Sequence, residues 1–210
     1  MAQKFNIKED FKIGRRIIRY LWIILILLFV DQLIKLIIYK NCVLHEETNI
    51  IGKWFGIRLE LNDGMAFSNL FENEKDRYFK ILTKVFLAFI LFICLIFFIN
   101  KRSPKMLLIG LTLCFAGSIG NLIDRVFHGV FLNNSLDINS IKWFHGRIID
   151  MFCLTLFKIN LPSWFPIRGG EQYLLFEPIF NFADLILFVG GVMAIIGLLK
   201  ITKMKPFKYE

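Results

Sequence analysis

Apolar residues gather along this chain into four long runs separated by basic or mixed stretches. The runs are Tyr20 to Tyr39, Phe79 to Ile99, Met106 to Ile123 and Pro178 to Leu199. Each comes close to the ~20 residues a helix needs to cross the hydrocarbon layer of a bilayer. Surface helices of a soluble protein would instead alternate polar and apolar faces. The first run sits where a cleaved leader would, but Asp31 and Lys35 interrupt it and no small-residue cleavage site follows, so a retained span is predicted. Pro178 suits the first turn of the fourth run, where its missing N–H would be unpaired anyway. The fold class predicted is membrane all-α, with residues 1–210 forming a single integral-membrane domain.

Orientation follows from the short flanks. Lys4, Lys8, Lys12, Arg15, Arg16 and Arg19 precede the first span. Lys101, Arg102 and Lys105 fill the tight second connection, and Lys200, Lys203, Lys205 and Lys208 follow the fourth span. All three clusters fall on one side of a four-span chain, which the positive-inside rule makes cytoplasmic. Both termini are then inside, and the long connections 40–78 and 124–177 are outside. In the first, Phe55 to Leu61 alternates as a β-strand and runs into the turn-like Asn62-Asp63-Gly64-Met65-Ala66-Phe67. Glu72 to Lys80 mixes charges with aromatics and is expected to lie along the membrane surface. The second connection is too long to be structureless.

Composition agrees. The 210 residues are 56% hydrophobic, more than one soluble core of this size would hide. The formal net charge of +9 brackets the apolar runs instead of forming a stripe with interleaved aromatics, so it reads as a topology signal and not as a nucleic-acid surface. Cys94 and Cys114 fall inside apolar runs, and Cys42 and Cys153 are both placed outside, where a bridge between them is chemically allowed. His45-Glu46-Glu47-Thr48-Asn49 lacks the second His of a zinc-protease motif, and no metal site is expected.

The candidate chemistry lies in the acids and amides. Asp31, Asn121, Asp124, Asn181 and Asp184 lie in or beside the apolar runs, and the topology, set by Lys and Arg alone, delivers them all to the outer leaflet. Charged groups at such depth are expensive and mark functional sites or buried ion-pair glue. Two carboxylates held close in a low-dielectric site share a proton, so one can activate water while the other polarises a peptide carbonyl. Four acids are candidates for this work: Asp31, Asp124, Asp150 and Asp184. Lys35, one turn from Asp31, can neutralise it, and Asp124 adjoins Arg125. The physical preference for Asp150 and Asp184 is slight, since Arg147 stands near Asp150.

Five stretches, in order, resemble lipoprotein signal peptidase, the bacterial signal peptidase II. They are Asp31-Gln32-Leu33-Ile34-Lys35, Asn62 to Phe67, Ala116-Gly117-Ser118-Ile119-Gly120-Asn121-Leu122-Ile123-Asp124-Arg125, Gly146-Arg147-Ile148-Ile149-Asp150-Met151, and Phe180-Asn181-Phe182-Ala183-Asp184. The resemblance covers about residues 20 to 200. It implies an aspartic endopeptidase of the inner membrane, without metal or cofactor, whose catalytic pair is Asp150 and Asp184. It further implies that Asn62, Gly64, Asn121, Arg125 and Asn181 line the substrate site, that Asp31 and Lys35 support it, and that Asp124 is structural. The fold implied is four transmembrane helices with a small periplasmic β platform and an extended second periplasmic loop. The implied substrates are prolipoproteins already carrying diacylglycerol, cut just before the lipidated cysteine, by an enzyme that is a monomer among membrane lipid.

The chain departs from the family pattern in three ways. Ala116-Gly117 stands where Gly-Gly is usual, and Met151 where Phe is more common. The intervals from Arg125 to Asp150 and from Asp150 to Asp184 are long, which predicts an additional outer element and makes Asp137 a rival to Asp150. Two readings from other classes compete with the peptidase. One is a small proton- or ion-coupled transporter using the same acids as a relay; the other is an inert membrane scaffold with polar glue.

Overall fold

The computed structural model describes residues 7–62, 74–101, 103–133, 143–160, 162–164, 170 and 172–204. Gly64, the rest of the turn after Asn62, and Asp137 lie outside them. The elements in chain order are α1 (Ile7–Asn41), β1 (Glu47–Ile51), β2 (Phe55–Asn62), α2 (Glu74–Asn100), α3 (Lys105–Phe131), β3 (Ile148–Leu154), β4 (Phe157–Asn160), β5 (Gln172–Phe176), β6 (Ile179–Phe180) and α4 (Phe182–Met204).

All four helices are long and apolar enough to cross a bilayer, over Phe11–Asn41, Ile81–Asn100, Lys105–Phe131 and Phe182–Ile201. They are not equivalent. The most apolar stretch of α3 is 61% buried, against 17%, 17% and 28% for α1, α2 and α4, so α3 is the central helix and the others ring it. The outer faces of that ring carry Phe29, Phe86 and Phe188, all exposed, as lipid-facing positions should be. Helices in lipid gain little from hiding apolar surface and instead pack closely through small residues. Gly110 of α3 and Gly190 of α4 meet this way. A Cβ added to either would lie 2.7 Å from the other's carbonyl oxygen, so only glycine allows the two backbones to approach so far.

The helices depart from the sequence expectation at their ends. Helix α3 runs through Phe131, so Asn121, Asp124 and Arg125 sit within its last turns and not at its end. Helix α4 begins at Phe182, not Pro178; Ile179 and Phe180 are taken up as a strand against β3, and the Pro178 carbonyl accepts from Leu154 N–H at 3.1 Å. Residues 74–80 form the first turns of α2, ahead of its membrane-crossing stretch. Cys42 and Cys153 are both free thiols.

An antiparallel sheet of order β1-β2-β3-β6 packs on the C-terminal part of α1. Leu59, Ile149 and Met151 are buried there against Ile34, Ile38 and Tyr39. Strand β3 is central, and its first four residues, Ile148 to Met151, are all buried. Its register sets Glu60 opposite Asp150 and Asn62 opposite Ile148 on one side, and Phe180 opposite Phe152 on the other. The chain leaves β6 directly into Asn181 and α4. The extra length between Asp150 and Asp184 includes the antiparallel hairpin β4–β5, held at its base where Leu156 N–H donates to Phe176 O at 3.3 Å.

Candidate active site

The first turn of α4 is a capping box built from an amide and an acid. Asn181 stands at the N-cap and Asp184 three residues on. The Asn181 side-chain oxygen accepts from Asp184 N–H at 2.9 Å, and the Asp184 carboxylate accepts from Asn181 N–H at 3.2 Å. Such reciprocal bonds satisfy two of the donors that every helix start leaves open. Another open donor, Ala183 N–H, is taken by Asp31 Oδ1 from α1 at 3.0 Å. The capping box alone has a purely structural purpose, but the remaining atoms of both residues reach further.

Asn181 Nδ2 donates to Asp150 Oδ1 at 2.7 Å and to Asn121 Oδ1 at 3.1 Å. Asn121 Nδ2 in turn donates to Asp184 Oδ1 at 2.8 Å. The two carboxylates are therefore bridged by two amides, one from α3 and one from the start of α4. Asn62, the last residue of β2, closes the other side, donating to Asp150 Oδ2 at 2.8 Å. Asp150 and Asn181 are buried, while Asp184 is only half-buried and offers the pair an open side. Burial, above all, pushes the Asp150 carboxyl up to about 6; the charge of Asp184 pushes the same way, and the hydrogen bonds from Asn62 and Asn181 oppose it.

Behind the amides lies a buried ionic cluster. Lys35 Nζ contacts Asp31 Oδ2 at 2.9 Å, Asp124 Oδ2 at 2.8 Å and Asn121 Oδ1 at 3.2 Å. Gln32 Nε2 links Asp31 Oδ2 at 3.0 Å to Asp124 Oδ1 at 2.9 Å, and His128 Nε2 lies 3.1 Å from Gln32 Oε1. Lys35, Asp31 and Asp124 are almost wholly excluded from solvent, which a charge tolerates only with partners of this quality. Asp124 is fully buried, with Lys35 as an ionic partner. Gly120 makes room for the cluster, since a Cβ there would lie 2.7 Å from Asp31 Oδ2.

The structure thus brings Asp31, Lys35, Asn62, Asn121, Asp124, Asp150, Asn181 and Asp184 into one connected network. Arg125 is buried in α3, where its carbonyl accepts from Gly146 N–H at 3.0 Å and anchors the approach to β3. Sequence reasoning missed Gln32 and His128 as parts of the network. The signal was available, since Gln32 adjoins Asp31 and His128 stands one helical turn after Asp124, both inside apolar segments. One further cluster among the described residues, Glu47, Cys153 and Glu177, has donor atoms close enough for a metal. Arg58 already occupies that role, pairing with Glu47 at 3.5 Å and Glu177 at 3.2 Å.

Four apolar helices around a buried polar network that links Asp150 of β3 to Asp184 of α4 define a polytopic membrane protein. Comparison with known proteins makes the class specific. Residues 23–200 match the family of signal peptidase (SPase) II. The lipoprotein signal peptidase of Porphyromonas gingivalis is 34% identical over 184 residues, covering 83% of this chain and 80% of its own length. That of Amoebophilus asiaticus is 30% identical over 200 residues, covering 93% and 84%. Among solved structures, a bacterial membrane enzyme determined in meso at 1.9 Å shares the fold, with a TM-score of 0.58 at 24% identity over 87% of this chain and 93% of that one. The chain belongs to the signal peptidase II family, a family of aspartic peptidases. The transporter and scaffold readings have no support beside that membership.

Proposed function

We propose that this protein removes the signal peptide from diacylglyceryl-modified prolipoproteins, cutting just before the lipidated cysteine, with Asp150 and Asp184 as its catalytic pair. The observation that carries the reading is the two-amide bridge. Asn181 holds Asp150 at 2.7 Å and Asn121 holds Asp184 at 2.8 Å, so two acids from distant segments are fixed relative to each other before substrate arrives.

The roles divide by environment. Asp150, buried and pushed up to about 6, holds the shared proton and donates it to the oxygen of the scissile carbonyl. Asp184, on the open side, takes a proton from water as its oxygen attacks the carbonyl carbon. A tetrahedral diol forms. Asp184 then protonates the leaving nitrogen, the C–N bond breaks, and Asp150 recovers its proton from the collapsing diol. Proton count closes, and neither a metal nor a covalent enzyme intermediate enters. Asn62 and Asn181 keep Asp150 in place throughout. Lys35, Asp31 and Asp124 form the rigid base, and the family resemblance assigns Arg125 and Gly64 to the lining of the substrate site.

The basic flanks support an orientation with both termini in the cytoplasm and the sheet on the periplasmic side of the inner membrane. A lipidated substrate then reaches the pair laterally, its acyl chains in the outer leaflet and its signal helix in the bilayer. All described groups of the site come from one chain, in keeping with a monomer.

The test uses purified protein in detergent or nanodiscs with a prolipoprotein in lipidated and unlipidated forms. Release of signal peptide from the lipidated form alone, lost in both Asp150→Asn and Asp184→Asn, is the expected outcome. Cleavage that persists in Asp150→Asn and disappears in Asp137→Asn would remove Asp150 from the pair.

A further inference from the structure

Lys84 is the sole charged residue between Ile81 and Asn100, the membrane-crossing stretch of α2. A lysine near the end of a span ordinarily extends along the lipid face to reach the headgroups. Lys84 is not on that face. Among the described residues of α2, Ile81, Ala88, Leu95 and Ile99 are enclosed, and Leu91, Cys94, Ile96 and Phe98 are partly enclosed. Ile81, Ala88, Leu91, Leu95, Phe98 and Ile99 recur at helical spacing and form a stripe on the helix, and α2 packs on α3. Half-buried Lys84 falls within this stripe, three residues after Ile81 and four before Ala88, whereas Leu82, Phe86 and Phe89 face outward and are exposed.

Its depth can be counted from the turn joining the two helices. Lys84 precedes Asn100, the last residue of α2, by 16 positions, and Asn121 follows Lys105, the first of α3, by 16. At ~1.5 Å per residue both stand about 24 Å from the turn, so Lys84 is level with the amide that binds Asp184. Its ammonium lies within electrostatic reach of Arg125, the strongest of the nearby charges, and of Asp184, Asp124 and Asp150. The other cation of the base, Lys35, is engaged by Asp31 and Asp124.

We infer that Lys84 is a positioning residue of the active site, supplying from α2 a positive charge that stabilises the single negative charge of the Asp150–Asp184 pair. The inference rests on the assignment of those two acids as the pair. A pair sharing one proton carries one negative charge in a poorly solvated region, and a nearby fixed cation favours that state over the doubly protonated one. Among the described residues, the charged and titratable groups around the pair are Glu60, opposite Asp150 on β2, Asp124, Arg125 and His128 from α3, Asp31 and Lys35 from α1, and Lys84 from α2.

The experiment is the pH profile of kcat/KM for cleavage of the lipidated prolipoprotein by wild type, Lys84→Met and Lys84→Arg. Thermal unfolding in the same detergent checks that each variant is folded. In Lys84→Met the acidic limb moves to higher pH by about one unit, because the carboxylate has lost its cation. In Lys84→Arg it returns to the wild-type position. A Lys84→Met profile of wild-type shape, whether or not its height falls, overturns the inference, and so does an acidic limb equally displaced in Lys84→Arg. Failure of the underlying assignment looks different, since Asp184→Asn would then still cleave. Should Lys84→Met not fold, Lys84→Gln carries the same comparison.

Discussion

Asn121 donates to Asp184 through a single hydrogen bond, Nδ2 to Oδ1 at 2.8 Å, and Lys35 dictates the direction of that bond from behind. An ammonium can only donate, so the Asn121 oxygen must face Lys35 Nζ, 3.2 Å away, and its amino group must face the carboxylate. Replacing Asn121 by Asp keeps the shape and the bond to Lys35 but turns the donor toward Asp184 into a like charge. We expect kcat to fall by about 10²-fold or more, the scale of a lost acid–base function, with the unfolding midpoint little changed. A fall in stability without a fall in kcat per folded molecule would reduce Asn121 to packing.

The ionic base makes a prediction about stability. Lys35 is the shared partner of two buried carboxylates, Asp31 and Asp124, at 2.9 and 2.8 Å. Removing one member of such a cluster leaves the rest buried and unpaired, which costs about 3–5 kcal/mol. Lys35→Met should therefore lower the unfolding midpoint in mild detergent far more than any exposed Lys→Met change. Adding Asp31→Asn should recover part of the loss, because one of the two stranded charges is gone. If Lys35→Met alone left the midpoint where it was, the cluster would not be the rigid base described.

How much of this was legible in the chain depends on the kind of signal. The four spans were readable because bilayer-length apolar runs and basic flanks are long-range, redundant signals. Their ends were not. Pro178 is a good first residue for a helix, yet Asn181 is a better cap and Ile179-Phe180 gain more by pairing with Phe152 and Cys153. Strand β2 was visible from its alternation, but β3 was not, because the run Ile148-Ile149-Asp150-Met151-Phe152-Cys153-Leu154 has no period of two. A central strand covered on both faces reads as a short continuous apolar stretch, indistinguishable from buried helix.

The site was legible in a similar, partial way. Asp31, Lys35, Asn121, Asp124, Asn181 and Asp184 stood out by depth. Asp150 lay in a connection and was chosen through family resemblance. The pairings themselves, Asn181 with Asp150 and Asn121 with Asp184, join residues 31 and 63 positions apart and come only from tertiary packing. Lys84 went unnoticed because a single lysine near a span end has a bland explanation until the buried stripe of α2 is known.

Asp150 makes activity and stability depend on pH in stated directions. Its carboxyl, pushed up to about 6 mainly by burial, keeps its proton to that pH, and the pair needs that proton. In the substrate-free enzyme kcat/KM should therefore decline as pH rises through about 6. Asn62 donates to the carboxylate at 2.8 Å and favours its ionised form, so Asn62→Ala should move this alkaline limb to higher pH. Stability follows the same sign. A carboxyl raised in the folded state from 3.8 to about 6 stabilises the fold below the lower value, and this contribution is lost as pH rises through the upper one. Unfolding midpoints measured across that window should drop in wild type and flatten in Asp150→Asn.

Asn181 carries two functions that substitution can separate. As the N-cap of α4 its oxygen accepts from Asp184 N–H at 2.9 Å, and as a bridge its Nδ2 donates to Asp150 at 2.7 Å. Serine keeps a capping oxygen but has no amide to reach β3, whereas alanine has neither. Asn181→Ala should lose about 1 kcal/mol of stability relative to Asn181→Ser, the ordinary worth of a cap. Both should lose activity alike, by about 10²-fold or more, because both release Asp150 from its tether. Activity that tracks stability through the series, with serine near wild type, would make Asn181 a cap and nothing more. Equal loss of kcat in two variants of unequal stability would assign the amide to the chemistry of the pair.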